Sequence, residues 1–390
     1  MKILYDHQIF EAQVYGGVSR YFYELMRCFH AGGRQDIEFD LPLACSNNHY
    51  IKDAPFLKRK CKRIIHFDNF IVDFNFKGKW KLYQLAQKIG YVKNYTGINK
   101  ALSVESIKKQ DFDIFHPTYY SSYFLEHIGQ KPFVLTVYDM IHELFPAEYP
   151  GGDKFLELKK LMIEKAARVI AISESTKRDI VRLYGGKFEE KIDVVYLGNS
   201  LDASNAETGG LKTPEKYLLF VGSRSKYKNF IFFVESVVSI LKRDPELKIV
   251  CAGGGAFSET ELAFFNKLGL GGRFSQYSLD DGTLAHLYKK SLAFVFPSLY
   301  EGFGIPVLES FAAGCPLIVS DSSSLPEVAG DACVYIDSAD GASIAGAVEK
   351  VIGSAQLRSQ LIAKGYEQLK KFSWEITAEK TKKIYEEILR

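Results

Sequence analysis

The sequence predicts an α/β protein of two similar lobes, each a parallel sheet covered by helices, with a cleft between them. Three observations carry this expectation. Short runs rich in β-branched and aromatic residues alternate with longer stretches of helical apolar spacing, the pattern of βαβ units. Most strand candidates, such as YLLFVG and PLIVSD, are apolar throughout, as strands buried on both faces are. The chain has 390 residues, more than one ordinary core accommodates.

The first lobe takes its strands from KILYD, IEFDLPLA, RIIHF, DIFHP, PFVLTVYD, RVIAIS and IDVVYLG. The second takes YLLFVG, LKIVCAG, RFSQY, LAFVFPS, PLIVSD and CVYID. Between them, GNSLDASNAETGGLKTPEK is polar and rich in Gly, Ser and Asn, and reads as the linker. The expected domains are 1–199 and 200–372. The closing stretch 373–390 has apolar residues at helical spacing and is expected to pack back on the first domain. Ligands of such sheets bind outside the carboxyl ends of strands, where strand order reverses.

Composition sets further bounds. An apolar fraction of 47% and a charged fraction of 25% are ordinary for a globular protein. No apolar run is long enough to span a bilayer, and MKILYDHQIF lacks the features of a signal peptide. Six scattered cysteines without a C-x-x-C pair argue against zinc and a disulfide framework, and fit a reducing cytosol. A net charge of +3 gives no reason to expect nucleic acid. Its distribution is uneven, however: residues 51–110 hold 14 Lys/Arg against 4 Asp/Glu. Within them, 57–93 carries Trp80, Leu82, Leu85 and Ile89 among lysines. Two readings stay open there, an anionic membrane surface as partner and a plain solvated basic face.

The most informative stretch is SLYEGFGIPVLES, residues 298–310. LAFVFPS reads as a strand and LYEGFGI as the loop at its carboxyl end. Pro306 falls where the first turn of a helix starts, and Gly314 is placed to end that helix. Gly302 and Gly304 let the main chain approach a ligand closely, and free N–H groups at a helix start favour an anion. Glu301 can accept from a sugar hydroxyl. Glu309, one turn into the helix, can accept two hydrogen bonds from a vicinal diol such as a ribose.

YEGFGIPVLESFAAGCPLIVSD followed by LPEVAGDACVYID closely resembles the donor-site signature of glycosyltransferase family 4. That family comprises retaining enzymes of the GT-B fold, two Rossmann-like α/β domains with parallel sheets facing a central cleft. The resemblance implies that Glu309 binds the nucleotide ribose and that Glu301 contacts the donor hexose. The backbone of Phe303, Gly304 and Ile305 would hold sugar and diphosphate. It also makes 1–199 the acceptor domain and 200–372 the donor domain.

Further stretches take their meaning beside this motif. In LFVGSRSKYKNF, Arg224 and Lys228 follow a strand end and Gly222. Two cations there can neutralise a diphosphate leaving group, and Lys228-Asn229 matches the family's element while Arg224 sits one position off. In YGGVSRYFYEL, Gly16 and Gly17 can bring backbone N–H groups to the diphosphate. In TVYDMIHELFP the family often has His-Asp where this chain has Tyr138-Asp139. Asp139 and His142 are therefore both candidates for the acceptor hydroxyl or the reacting sugar, and His116 is a weaker one. AISESTKRDI reads as a helix start capped by Ser173 or Ser175, with Lys177 near the rim. CAGGGAF lacks a complete dinucleotide fingerprint and reads as a turn. Gln276 and Tyr277 fall where the resemblance implies contact with the base.

The resulting expectation is a cytoplasmic, retaining, metal-independent hexosyltransferase without a cofactor, peripheral at the inner face of the plasma membrane. Its partners would be a nucleotide-sugar donor, with mannose from GDP-mannose foremost, and a saccharide acceptor, lipid-linked, in polysaccharide or O-antigen biosynthesis. A UDP-sugar-dependent transferase, a nucleotide-sugar epimerase or phosphorylase-like enzyme, and a non-catalytic sugar-nucleotide binder are the alternatives.

Overall fold

A computed structural model describes residues 1–32, 37–52, 54–57, 78–89, 97–205, 211–278 and 280–390. The strand candidate RIIHF and most of the basic segment 57–93 lie outside these residues. Twelve strands are described. The first six are β1 (Lys2–Tyr5), β2 (Glu38–Asp40), β3 (Ile114–His116), β4 (Val134–Val137), β5 (Arg168–Ala171) and β6 (Ile192–Val194). They form two three-stranded sheets, ordered β2-β1-β3 and β4-β5-β6. A single parallel bridge, Phe115 to Phe133, lies between them. The remaining strands are β7 (Tyr217–Val221), β8 (Lys248–Ala252), β9 (Phe274–Tyr277), β10 (Ala293–Phe296), β11 (Leu317–Ser320) and β12 (Cys333–Ile336). They make one parallel sheet in the order β12-β11-β10-β7-β8-β9.

Residue contacts divide the chain into two compact units. One comprises Met1–Thr136, Asp153–Ile170 and Ala378–Arg390; the other comprises Val137–Gly152 and Ala171–Thr377.

In the second unit the sheet is doubly wound. From β7 the chain builds outward through β8 and β9, then returns to build through β10, β11 and β12 on the other side. The order reverses between β7 and β10, which pair Ala293 with Leu218 and Phe294 with Leu219. Every residue of β7, β10 and β11 is buried, which is why these runs read as continuously apolar. One core lies against this sheet, from Leu218, Phe220, Ile249, Val295 and Ile318 to Phe233, Ile344 and Val348 of the covering helices. The helix after β10, Ile305–Ala312, has Pro306 in its first turn and is followed by Gly314 at φ 64°, as the sequence predicts.

In the first unit, β1 runs into a loop anchored by Asp6. Its buried carboxylate accepts from Thr118 N (2.9 Å), Thr118 Oγ1 (2.7 Å) and Tyr123 Oη (3.0 Å). His116, at the end of β3, is fully buried. Its Nδ1 lies 2.6 Å from Tyr385 Oη and its Nε2 2.9 Å from Thr136 Oγ1. The structure therefore removes His116 from the candidate site residues. It is a core histidine, and burial lowers its pKa to about 3.

Folded His116 is neutral, while in the unfolded chain it takes up a proton below its ordinary pKa of 6.5. The unfolded state thus binds more protons below that pH, and stability falls as pH drops from 6.5 toward 3. The slope from one such group is at most about 1.4 kcal/mol per pH unit. Thermal melts between roughly pH 7 and 4 should show a shallower acid dependence in His116→Gln than in the unsubstituted protein; equal slopes would contradict the neutral core assignment.

Candidate active site

The loops that leave β7 and β10 emerge side by side, because those strands are neighbours at the point where strand order reverses. Hydrogen bonding knits them: Leu299 N donates to Tyr227 O at 2.8 Å. Lys228 from the first loop and Glu301 from the second form an ion pair, Nζ to Oε1 2.6 Å, with side chains only 13% and 12% exposed. The ammonium also lies 5.2 Å from the ring centres of Tyr227 and Phe296. Burial opposes its charge, yet Glu301, Tyr227 and Asp139 together hold the Lys228 pKa above the ordinary lysine value. The site therefore keeps a fixed, partly desolvated positive charge.

The β10 loop is braced on both sides. Glu301 N donates to Ser323 Oγ (2.8 Å), and Ser324 Oγ donates to Glu301 O (2.9 Å). Ser323 has φ 53°, a left-handed geometry rare outside glycine. Tyr300 Oη accepts from Met140 N (3.1 Å) and donates to Asp179 Oδ2 (3.0 Å). The glycines also admit close packing of protein atoms. A Cβ at Gly302 would lie 1.9 Å from Tyr138 O, so the close approach there is to the segment carrying Asp139. At Gly304, φ is 99° and a Cβ would lie 2.7 Å from Leu325 Cδ2. Phe303 packs its ring against Tyr196 and Phe372, which leaves its main chain for any ligand.

Glu309 projects from the helix Ile305–Ala312 and is nearly buried. Tyr288 Oη donates to its Oε2 at 3.2 Å. Burial and the Glu309 carboxylate push the Tyr288 pKa far up, so this donor keeps its proton. Ile305 is the first residue of the same helix.

Arg224 is committed elsewhere. Its guanidinium donates to Glu261 (Nε to Oε1, 2.5 Å) and to the carbonyls of Gly253, Gly255 and Ala256. Three consecutive glycines with φ between 71° and 83° turn those carbonyls toward it, so CAGGGAF is the turn the sequence predicts. Gly222, at φ 110°, lets the chain leave β7. Tyr277, at the end of β9, donates to Lys212 O at 2.8 Å.

Asp139 joins the Lys228–Glu301 neighbourhood. Its Oδ1 accepts from Ile141 N (3.0 Å). Burial first, then Tyr227, Asp139, Glu148 and Glu301, push the Tyr149 hydroxyl up to about 12. The His142 ring packs on Tyr149 with centres 4.2 Å apart. Asp139 thus sits within the electrostatic reach of the pair, and His142 faces a tyrosine at its margin. Sequence reasoning missed Tyr149, Tyr227 and Tyr300, although two of them stand next to Lys228 and Glu301 in the same loops. It also gave no role to Glu327 of LPEVAG. Its carboxylate accepts from Glu174 N (2.8 Å), Ser175 N (3.0 Å) and Tyr196 Oη (2.9 Å), at the start of a helix that Ser173 caps.

Gly16 and Gly17 belong to the first unit. The Gln13 side chain lies against Gly16, and its Oε1 accepts from Ser19 N at 3.0 Å. One N–H at that helix start is therefore already used.

Comparison with known proteins places the chain in a family. The family described as Glycosyltransferase Family 4 matches residues 15–202, and that described as Glycosyl transferases group 1 matches residues 203–368. An uncharacterized glycosyltransferase of Methanocaldococcus jannaschii is 27% identical over 74% of this chain and 78% of its own length. The O-antigen chain mannosyltransferase B of Escherichia coli is 25% identical over 70% of this chain and 74% of its own. Among solved structures, sucrose-phosphate synthase from Thermosynechococcus elongatus superposes with TM-score 0.73 at 18% identity, covering 100% of this chain and 99% of the other. Anabaena HepE in complex with UDP and glucose superposes with TM-score 0.68 at 14% identity, covering 98% of each chain. The fold is GT-B. Two abutting family matches from residue 15 to 368, over a doubly wound sheet with paired loops at its switch point, make this chain a member of glycosyltransferase family 4.

Proposed function

We propose that this glycosyltransferase transfers mannose from GDP-mannose, with retention, to a lipid-linked saccharide in the assembly of a surface polysaccharide. The observation that carries the reading is the Lys228–Glu301 pair at the switch point of the sheet, with Glu309 on the helix that follows the same loop. Relatives named as O-antigen mannosyltransferases support the choice of sugar. In this reading Glu309 accepts from the ribose hydroxyls and Glu301 from a hexose hydroxyl. The main chain of Phe303, Gly304 and Ile305 holds the diphosphate, and Tyr277 borders the base.

As the glycosidic bond breaks, negative charge grows on the diphosphate. Once the bound donor has drawn it from Glu301, Lys228 meets that charge with its own already in place, and no resident metal is assigned. Arg224 can join only by letting go of Glu261; otherwise it shapes the glycine turn. Asp139 and His142 flank the reacting carbon and the acceptor hydroxyl. The acceptor hydroxyl attacks from the face the diphosphate leaves and passes its proton to a departing phosphate oxygen, so the step balances and configuration is retained.

The lipid-linked acceptor rests on a separate observation. The helix Lys79–Lys88 and the following Ile89 expose Leu82, Leu85 and Ile89 at spacings of three and four residues, with Lys81 and Lys88 nearby. An anionic leaflet on the cytoplasmic side matches both chemistries. No described helix is long and apolar enough to cross a membrane.

Nucleotide release from GDP-mannose and from UDP-sugars tests the donor site. GDP-mannose should be preferred, and Lys228→Ala or Glu309→Ala should lower kcat/KM about 10- to 150-fold, the equivalent of one lost charged hydrogen bond. Near-normal turnover by both variants rejects the site; turnover confined to UDP-sugars rejects the donor; recovery of an epimerised sugar rejects transfer. Co-sedimentation with vesicles tests the surface: anionic vesicles should pellet the protein, neutral ones much less, and Leu85→Glu should weaken pelleting. Equally negligible pelleting with both would remove the membrane from the account.

A further inference from the structure

Within the first unit, the loops that follow β1 and β2 meet at the carboxyl edge of their sheet and carry an aromatic surface no role has been given. The two loops are hydrogen-bonded to one another. His49 N donates to Val14 O (2.8 Å), Asn48 Nδ2 to Gln13 O (2.7 Å) and Ser46 Oγ to Phe10 O (2.5 Å). Asn99 staples the assembly from a neighbouring helix. Its Oδ1 accepts from Ala44 N, and its Nδ2 donates to Glu11 Oε1 and Cys45 O.

On this frame stand Tyr15 and Tyr50, ring centres 5.2 Å apart, with His49 5.9 Å from Tyr15 and Tyr23 stacked on Tyr50. Arg20, nearly buried, places its guanidinium 5.7 Å from the Tyr15 ring and 5.1 Å from the Tyr50 ring, and donates to Tyr15 Oη at 3.2 Å. Tyr15 is nonetheless 44% exposed as a residue, and His49 is exposed beside it. A partly exposed aromatic residue already fixed by a guanidinium costs little further ordering when something stacks on it.

We propose that Tyr15 and Tyr50 form the stacking platform for a pyranose ring of the acceptor saccharide. A pyranose has one face of C–H groups and a rim of hydroxyls. The C–H face suits the electron-rich face of a tyrosine, and the hydroxyl rim suits the exposed His49 beside it. The position suits it as well, since ligands of parallel sheets bind outside the carboxyl ends of strands. Arg20 is a positioning residue that fixes both rings. The inference rests on the saccharide acceptor of the preceding section, but not on the identity of the donor.

Saturation-transfer NMR with mannobiose, cellobiose and lactose as probes tests it on the full chain. Saturation should reach the C–H protons of a pyranose ring of at least one probe. It should drop about tenfold in Tyr15→Ala and be kept in Tyr15→Phe, which retains the ring face but loses the bond to Arg20. GDP and UDP binding and the melting temperature should be the same in all three proteins. No saturation of any probe, or equal saturation in Tyr15→Ala, overturns the platform. Failure of the donor reading shows elsewhere, as an unsubstituted protein that binds neither nucleotide.

Discussion

The Lys228–Glu301 ion pair is the interaction around which the second unit arranges its chemistry. Two charges are rarely taken out of water unless each is matched, and here each is the other's match. The pair exists because β7 and β10, far apart in sequence, are adjacent in the sheet. Each contributes one loop, and each loop contributes one charge. A nucleotide diphosphate would compete with Glu301 for the ammonium, and a sugar hydroxyl would compete with Lys228 for the carboxylate.

Rigidity around the pair comes from contacts that have nothing to do with ligand. Gly302 lies so close to the Tyr138 carbonyl that no side chain fits, and Tyr300 ties the same loop to Met140 and Asp179. The segment carrying Asp139 is thereby set against the loop carrying Glu301. Glu327 secures the start of the helix Glu174–Tyr184, whose Thr176 hydroxyl reaches Gly302 O at 3.3 Å. A motif that looks like a ligand loop in sequence is thus equally a packing hub.

Much of this was legible from the amino acids. Each strand candidate that falls in the described residues is a strand, because runs such as YLLFV and AFVF are buried on both faces and have nothing polar to hide. Glu301, Glu309 and Lys228 could be named from loop position and residue type. Their pairing could not, since the partner of Lys228 lies 73 residues away and depends on strand order. The partner of Arg224 was hidden for the same reason: Glu261 comes from a helix 37 residues further along the chain. His116 carried a titratable ring into a position that burial makes inert. The close packing at Gly302 and Gly304 was not legible, since protein atoms that meet there come from distant segments.

Under the proposed function, a nucleotide sugar takes over both partners of the buried pair. A crystal structure with a non-hydrolysable donor analogue tests this directly. Ribose hydroxyls are expected on Glu309, a phosphate oxygen within hydrogen-bonding distance of Lys228 Nζ, and a hexose hydroxyl on Glu301. A nucleotide bound elsewhere, with Lys228 and Glu301 still joined at 2.6 Å, would contradict it.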